Sequence, residues 1–269
     1  MLVKFAVCSP RRSRGVATLS GMTAISSPEQ ETPSVRFRRV SAGWSLAAAG
    51  LFVGSAVLQL LASLQRWVGL SGSGTLSDVS IEDHRFDYFY PADPWENVGT
   101  AAQLFGAGLL LLALGILVMT RAAAPRDGHL ERMLALLVAS SFGIHGAHAL
   151  VSGAIGAPTP LQYLPVQMLL SLIGFVGLVA VGARLLRVSR AASVACVLLV
   201  AVTLPGYIVA TFQIAPVIAG YQSYDTTPWT ETILAASTAA AGVALAIAAG
   251  RAGSSHRRAA RGSASGPPQ

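Results

Sequence analysis

Apolar residues in this chain fall into six long runs, roughly Gly43–Gln65, Val98–Thr120, Met133–Ile155, Leu164–Leu186, Ala191–Gln213 and Thr232–Gly250, with charge confined to their ends, the stretches between them and the two tails. Each run meets the requirement of about 20 apolar residues for a helix to cross a hydrocarbon core about 30 Å thick. A segment isolated in lipid must satisfy its own backbone hydrogen bonds, so every run is predicted to be helical. The expected fold is all-α, a bundle of six transmembrane helices arranged as three helical hairpins. Residues 1–40 and 251–269 are rich in Ser, Pro, Gly and Arg and read as disordered tails.

Charge then orients the bundle. Seventeen of the nineteen basic residues lie in the N-terminal tail, between the second and third runs, between the fourth and fifth, and in the C-terminal tail. The positive-inside rule places those segments, and both termini, in the cytoplasm. Only Arg66 and Arg85 fall on the other side. The localisation this implies is the plasma membrane, with residues 66–96 forming an external loop. Trp44 and Trp67 bracket the first run, about 35 Å apart along a helix, as interface anchors would. Trp95 and Trp229 are expected to anchor the outer starts of the second and sixth spans. Each follows a proline suited to a first turn (Pro94, Pro228), and Glu96 and Glu231 follow as complements to the positive helix ends.

Composition changes this picture little. Of 269 residues, 53% are hydrophobic and 12% charged, about half the charge that a soluble domain carries. The net charge of +7 lies next to helix ends and forms no basic stripe interleaved with aromatics, so nucleic acid is not an expected partner; the lipid bilayer is. Arginine almost to the exclusion of lysine points to a GC-rich bacterial genome. Cys8 and Cys196 both fall towards the cytoplasm, where a bridge between them is not expected. The first residues lack the layout of a signal peptide, since Arg11, Arg12 and Arg14 follow the short apolar stretch instead of preceding it; Met22 is an alternative start.

Candidate chemistry is sparse. No phosphate loop, nucleophile elbow, zinc-protease helix or dinucleotide fingerprint occurs. No acidic residue, lysine or arginine lies well inside a run, whereas His145 and His148 do, and ionisable residues at membrane depth are functional candidates. Ser141, His145, His148 and Ser152 recur at i, i+4, i+7 and i+11 and therefore share one helix face. Beside them runs a stripe of small residues, Gly146, Ala149, Gly153 and Gly156, suited to close packing against a neighbour. Counted from Arg132, His145 stands about 20 Å and His148 about 24 Å along the helix, in the outer half. There they come within reach of an acidic, aromatic loop carrying Asp83, His84 and Asp87.

The expected site is thus an outward-facing polar pocket of Ser141, His145, His148, Ser152, Asp83, His84 and Asp87. Histidines at i and i+3 can share a metal, which makes His145 and His148 candidate ligands with His84 or a loop carboxylate completing the set. Imidazoles can also handle protons near neutrality, or bond to serines and carbonyls and lock helix packing. No cofactor is indicated. Gln59, Gln103, Gln167 and Gln213 are expected to bridge helices, Gly50 and Gly54 to pack closely, and Pro205 to bend the fifth span. The reading is a multi-pass membrane protein with a binding or scaffold role, the alternative being a small transporter or membrane enzyme built on the histidine pair.

Overall fold

A computed structural model of the chain describes residues 33–69, 81–123 and 129–264, with side chains described between residues 42 and 251. The expected flexible segment Ser71–Gly74, Cys8, and the tail residues 1–32 and 265–269 lie outside the described residues. Among those described there are helices and turns and no strand. The helices are α1 (Pro33–Leu64), α2 (Ala101–Ala123), α3 (His129–Ile155), α4 (Leu164–Leu185), α5 (Arg190–Leu199), α6 (Leu204–Val209), α7 (Ala215–Ala219) and α8 (Thr230–Ala264). α1 and α8 extend over 33–40 and 251–264, stretches expected to be irregular.

Among the described residues, five helices are long and apolar enough to cross a membrane, and the bent series α5 to α7 makes a sixth if it counts as one span. The fifth run differs most from expectation. In place of one bent helix there is a break: α5 passes into a 3-10 turn at Val200–Val202, Thr203 leaves the helical conformation, and the chain resumes at an angle of 69°. Pro205 sits in the first turn of α6, where a residue without an N–H costs nothing. The backbone N–H of Leu204, freed by the break, donates to Ser171 Oγ of α4 at 2.6 Å. A π-turn at Ala210–Ile214 leads into α7, so Pro216 is helical and not beyond the span.

Neighbours in sequence pack together from α1 to α5, α5 packs on α8, and α8 returns along α1, so the helices close into a ring. The hairpins are therefore not separate units. Small residues make the tightest joints. A Cβ on Gly106 of α2 would come within 2.5 Å of the Gly146 carbonyl of α3, and one on Gly146 within 2.8 Å of the Gly106 carbonyl. Gly146 and Gly153 of the small-residue stripe thus meet α2, whereas Gly156 lies just past the end of α3 with nothing within 4 Å of a notional Cβ. Gly242 of α8 gives similar access to Ala49 and Val53 of α1. Gly50, by contrast, has nothing within 4 Å of a notional Cβ, so the Gly50–Gly54 pair makes no matched contact.

Serines tie the ring more than the amides do. Ser55 Oγ donates to Gly108 O at 2.7 Å between α1 and α2, Ser63 meets Thr232 at 2.7 Å between α1 and α8, and Ser237 donates to Leu198 O at 2.6 Å between α8 and α5. Of the four glutamines, Gln103 bridges two spans, donating to Gly153 O at 2.6 Å. Gln59 bonds within its own helix, Gln167 reaches back to Leu161 O, and Gln213 is exposed. A long flexible amide finds a local acceptor at less entropic cost than a distant one.

Replacing Gly106 by Ala forces the α2–α3 joint apart and is expected to lower unfolding free energy by about 1–3 kcal/mol. The same change at Gly143, which faces open space, should be neutral or stabilising. Unfolding in mixed micelles checks both.

Candidate functional site

Both clusters of interest lie at the end of the bundle that carries the 81–100 connection, the loop end. The first is the polar stripe of α3. Ser141, His145, His148 and Ser152 are all buried, as their shared face requires once that face turns to α4 and the connection. His145 Nδ1 lies 3.1 Å from the Ser141 carbonyl. A carbonyl only accepts, so Nδ1 carries the proton and Nε2 is a bare lone pair. That Nε2 forms no hydrogen bond, although Gln167 of α4 lies close to the ring, and Ser141 Oγ forms none either. Buried polar atoms are rarely left this way without a water or ligand.

Ser141 and His145 line a small cavity with Tyr90, Phe89, Ser171 and Thr203, and its interior has room for about one water molecule. Thr203 is the residue at which the fifth run breaks. Phe89 and Tyr90 form the roof. Their rings lie 4.5 Å apart, Tyr90 meets the His145 ring edge-on at 5.5 Å, and Phe89 packs on Phe105 and Tyr207 at 5.1 and 4.7 Å. Burial pushes the phenol of Tyr90 well above its ordinary range, so it stays neutral.

His148 is committed elsewhere. Its Nε2 donates to the Pro91 carbonyl at 2.9 Å, and its Nδ1 accepts from the Thr159 hydroxyl at 2.6 Å. Ser152 completes this latch by accepting from Thr159 N–H at 3.1 Å. The histidine therefore fastens the roof, one residue beyond Tyr90, to α3 and to the α3–α4 connection.

The second cluster was not legible as a site. α1 continues through a π-turn, Gln65–Gly69, which carries Arg66 into the protein, where its side chain is 0% exposed. The guanidinium pairs with Asp87, donates to Glu231 Oε1 at 2.8 Å, and reaches the carbonyls of Ile81 at 3.0 Å and Asp83 at 3.4 Å. Trp67 stacks against it at 4.6 Å and donates Nε1–H to Glu231 Oε2 at 2.7 Å. Thr226 donates to Asp87 at 3.0 Å and contacts the Tyr207 hydroxyl at 3.1 Å. Trp229, two residues before Glu231, holds a left-handed φ of 71°, a conformation costly for an aromatic residue and kept where surroundings overdetermine it.

These contacts depart from the sequence expectations in several places. Trp67 and Trp95 are buried hydrogen-bond donors, to Glu231 and to Asp87 O, and not interface anchors. Glu231 lies in the first turn of a helix and is also the counter-ion of an arginine 165 residues away. Asp87 belongs to this cluster and not to the histidine pocket. Burial pushes its carboxyl up to about 6, against the downward pull of Arg66 and with a further push from Glu231. Two carboxylates share one cation there.

Asp83 and His84 form a third group with Asp225, their donor atoms lying within 4.8 Å of one another. Among the described residues this is the group of three with reach for a common cation. Here Asp225 accepts from His84 N–H at 2.7 Å and Asp83 from Arg85 N–H at 2.9 Å, so the group joins two connections of the loop end. Neither residue joins His145 and His148, and no third His, Cys, Asp or Glu does so among the described residues. Arg85 pairs with Glu96 instead.

Comparison with protein-family models, with curated proteins and with solved structures finds no match.

Removing Arg66 leaves the carboxylates of Asp87 and Glu231 side by side without a cation. Arg66→Ala is expected to cost about 3–5 kcal/mol in unfolding free energy. Arg66→Lys should recover only part of it, because an ammonium cannot span the acceptors that a planar fork serves. Denaturant titration of the purified variants measures both.

Proposed function

We propose that this chain is a multi-pass protein of the cytoplasmic membrane that works by binding, without catalysis, and that its binding site is the cavity beneath Phe89 and Tyr90. The observation that carries the reading is the pair of buried, unpartnered polar atoms lining that cavity, Ser141 Oγ and His145 Nε2. Because Nε2 is a lone pair, the ligand must donate a hydrogen bond to it. The cavity in its closed form admits about one water-sized molecule, so anything larger requires the roof to lift. Charge supports the orientation. The segments rich in arginine lie opposite the loop end, which by the positive-inside rule faces out of the cell, with both termini inside.

A second reading, a small transporter, draws on the break beside Thr203. Irregular backbone at membrane depth is tolerated where it is buried in protein or lines a cavity, and broken helices form ligand sites in transporters. A metal version of either reading rests on His145 and His148. His145 Nε2 is available as it stands, whereas His148 would first have to release Pro91 or Thr159.

The pocket is tested by access. In a chain with Cys8 and Cys196 replaced by Ser, Ser141→Cys should react slowly with a small, membrane-impermeant thiol reagent added to intact cells. It should react several-fold faster once Tyr90→Ala opens the roof. No reaction in either background would overturn the outward-facing pocket. Elemental analysis of the purified protein decides the metal version: an equivalent of metal lost in His145→Ala supports it, and none in the wild type ends it.

A further inference from the structure

The roof residues Phe89 and Tyr90 are held on both sides, by Asp87 in the arginine cluster and by Pro91 on His148. We propose that the Arg66–Asp87–Glu231 cluster is a proton-binding site, and that the proton it takes up tightens the roof over the pocket. This rests on the pocket reading only for what the roof covers.

The geometry supplies the reason. One guanidinium nitrogen, Nη1 of Arg66, serves both Asp87 and Glu231, so a single positive charge answers two carboxylates inside the protein. Among the described residues, Arg66 is the cation that faces Asp87. α1 contributes Arg66, α8 contributes Glu231, α6 contributes the Tyr207 phenol, Thr226 gives a neutral hydroxyl, and the neighbouring Tyr88 is a buried phenol. Burial keeps Tyr88 neutral by raising it well above its ordinary value. Excess charge in a region of low dielectric is relieved most simply by a proton, and like-charged carboxylates that share a site cannot both stay ionised at little cost. Thr226 and Tyr207 extend the cluster to α6, on the far side of the break that lines the pocket.

The direction follows from linkage. The Asp87 carboxyl sits at about 6 when held and returns towards its ordinary value of 3.8 when the roof lifts and water reaches it. The closed form therefore binds the proton more tightly. Its added stability is complete below the lower value and is lost as pH rises through the higher one. Mild acid closes the roof, and neutral pH loosens it.

The test is hydrogen–deuterium exchange over residues 81–92 in the full chain, reconstituted in nanodiscs, with rates divided by the intrinsic exchange rate at each pH. Protection in the wild type should fall about tenfold between pH 5 and 7.5, the change that these two values give. Asp87→Asn, which carries no titrating carboxyl, should stay flat at the acid level. Glu231→Gln removes the like charge while burial, the larger cause, remains, so the step should shrink and move to lower pH, a change that can be read even if Asp87→Asn does not fold. A flat wild type, protection that rises with pH, or the same step in both variants would overturn the proposal. The pocket fails independently: a thiol at position 141 that stays unreactive alongside a clear proton step sinks the pocket alone.

Discussion

A guanidinium with no access to water must be answered in full by protein groups, and Arg66 imposes that demand on the whole loop end. The cost of stripping its hydration runs to several kcal/mol and is offset only when charge and hydrogen bonds are both supplied. Meeting it recruits Glu231 from the last helix, Asp87 and two carbonyls from the 81–100 connection, and the ring of Trp67. Each recruit then fixes something else. Glu231 seats the start of α8 against α1, Asp87 holds Thr226 and through it Tyr207, and the carbonyls of Ile81 and Asp83 bend the connection back over the bundle. The placement of Phe89 and Tyr90 above the α3 stripe follows from that bend.

Packing elsewhere obeys a different rule. Between helices without mutual charge, close approach comes from absent side chains, as at Gly106 against Gly146, and direction comes from short hydroxyls, as at Ser55 and Ser237. Association in lipid draws little on the hydrophobic effect, so van der Waals fit and single hydrogen bonds carry it. The bundle combines a tightly fitted body with one charged, aromatic end, and the cavity lies where the two meet.

Much of this was legible in the chain. Run length is a direct consequence of bilayer thickness, so the long apolar helices could be located to within a few residues. The polar face of α3 was legible because helical periodicity is strict over eleven residues. The break at Thr203 was only half visible. Pro205 signalled a disturbance, but apolar side chains look alike whether or not the backbone hydrogen bonds beneath them are made. The partners of His148 were hidden because one is a proline carbonyl, which no side-chain pattern reports. Arg66 left a trace, as one of two basic residues on the wrong side of the charge asymmetry. An isolated cation at the end of an apolar run implies an anion nearby, and Glu231 had a sufficient local explanation at a helix start. Long-range pairing of this kind does not register in any window of sequence.

The closure of the ring by α1 and α8 also bears on how the chain is made. Arg66 emerges from the ribosome early and Asp87 follows 21 residues later, whereas Glu231 is synthesised 165 residues later, in the last helix. During that interval the end of the first helix has one of its two carboxylates, Asp87, and lacks the other. The loop end can therefore be completed only after translation is nearly finished, because Thr226 and Glu231, which fasten Asp87 and Trp67, both come from near the end of the chain.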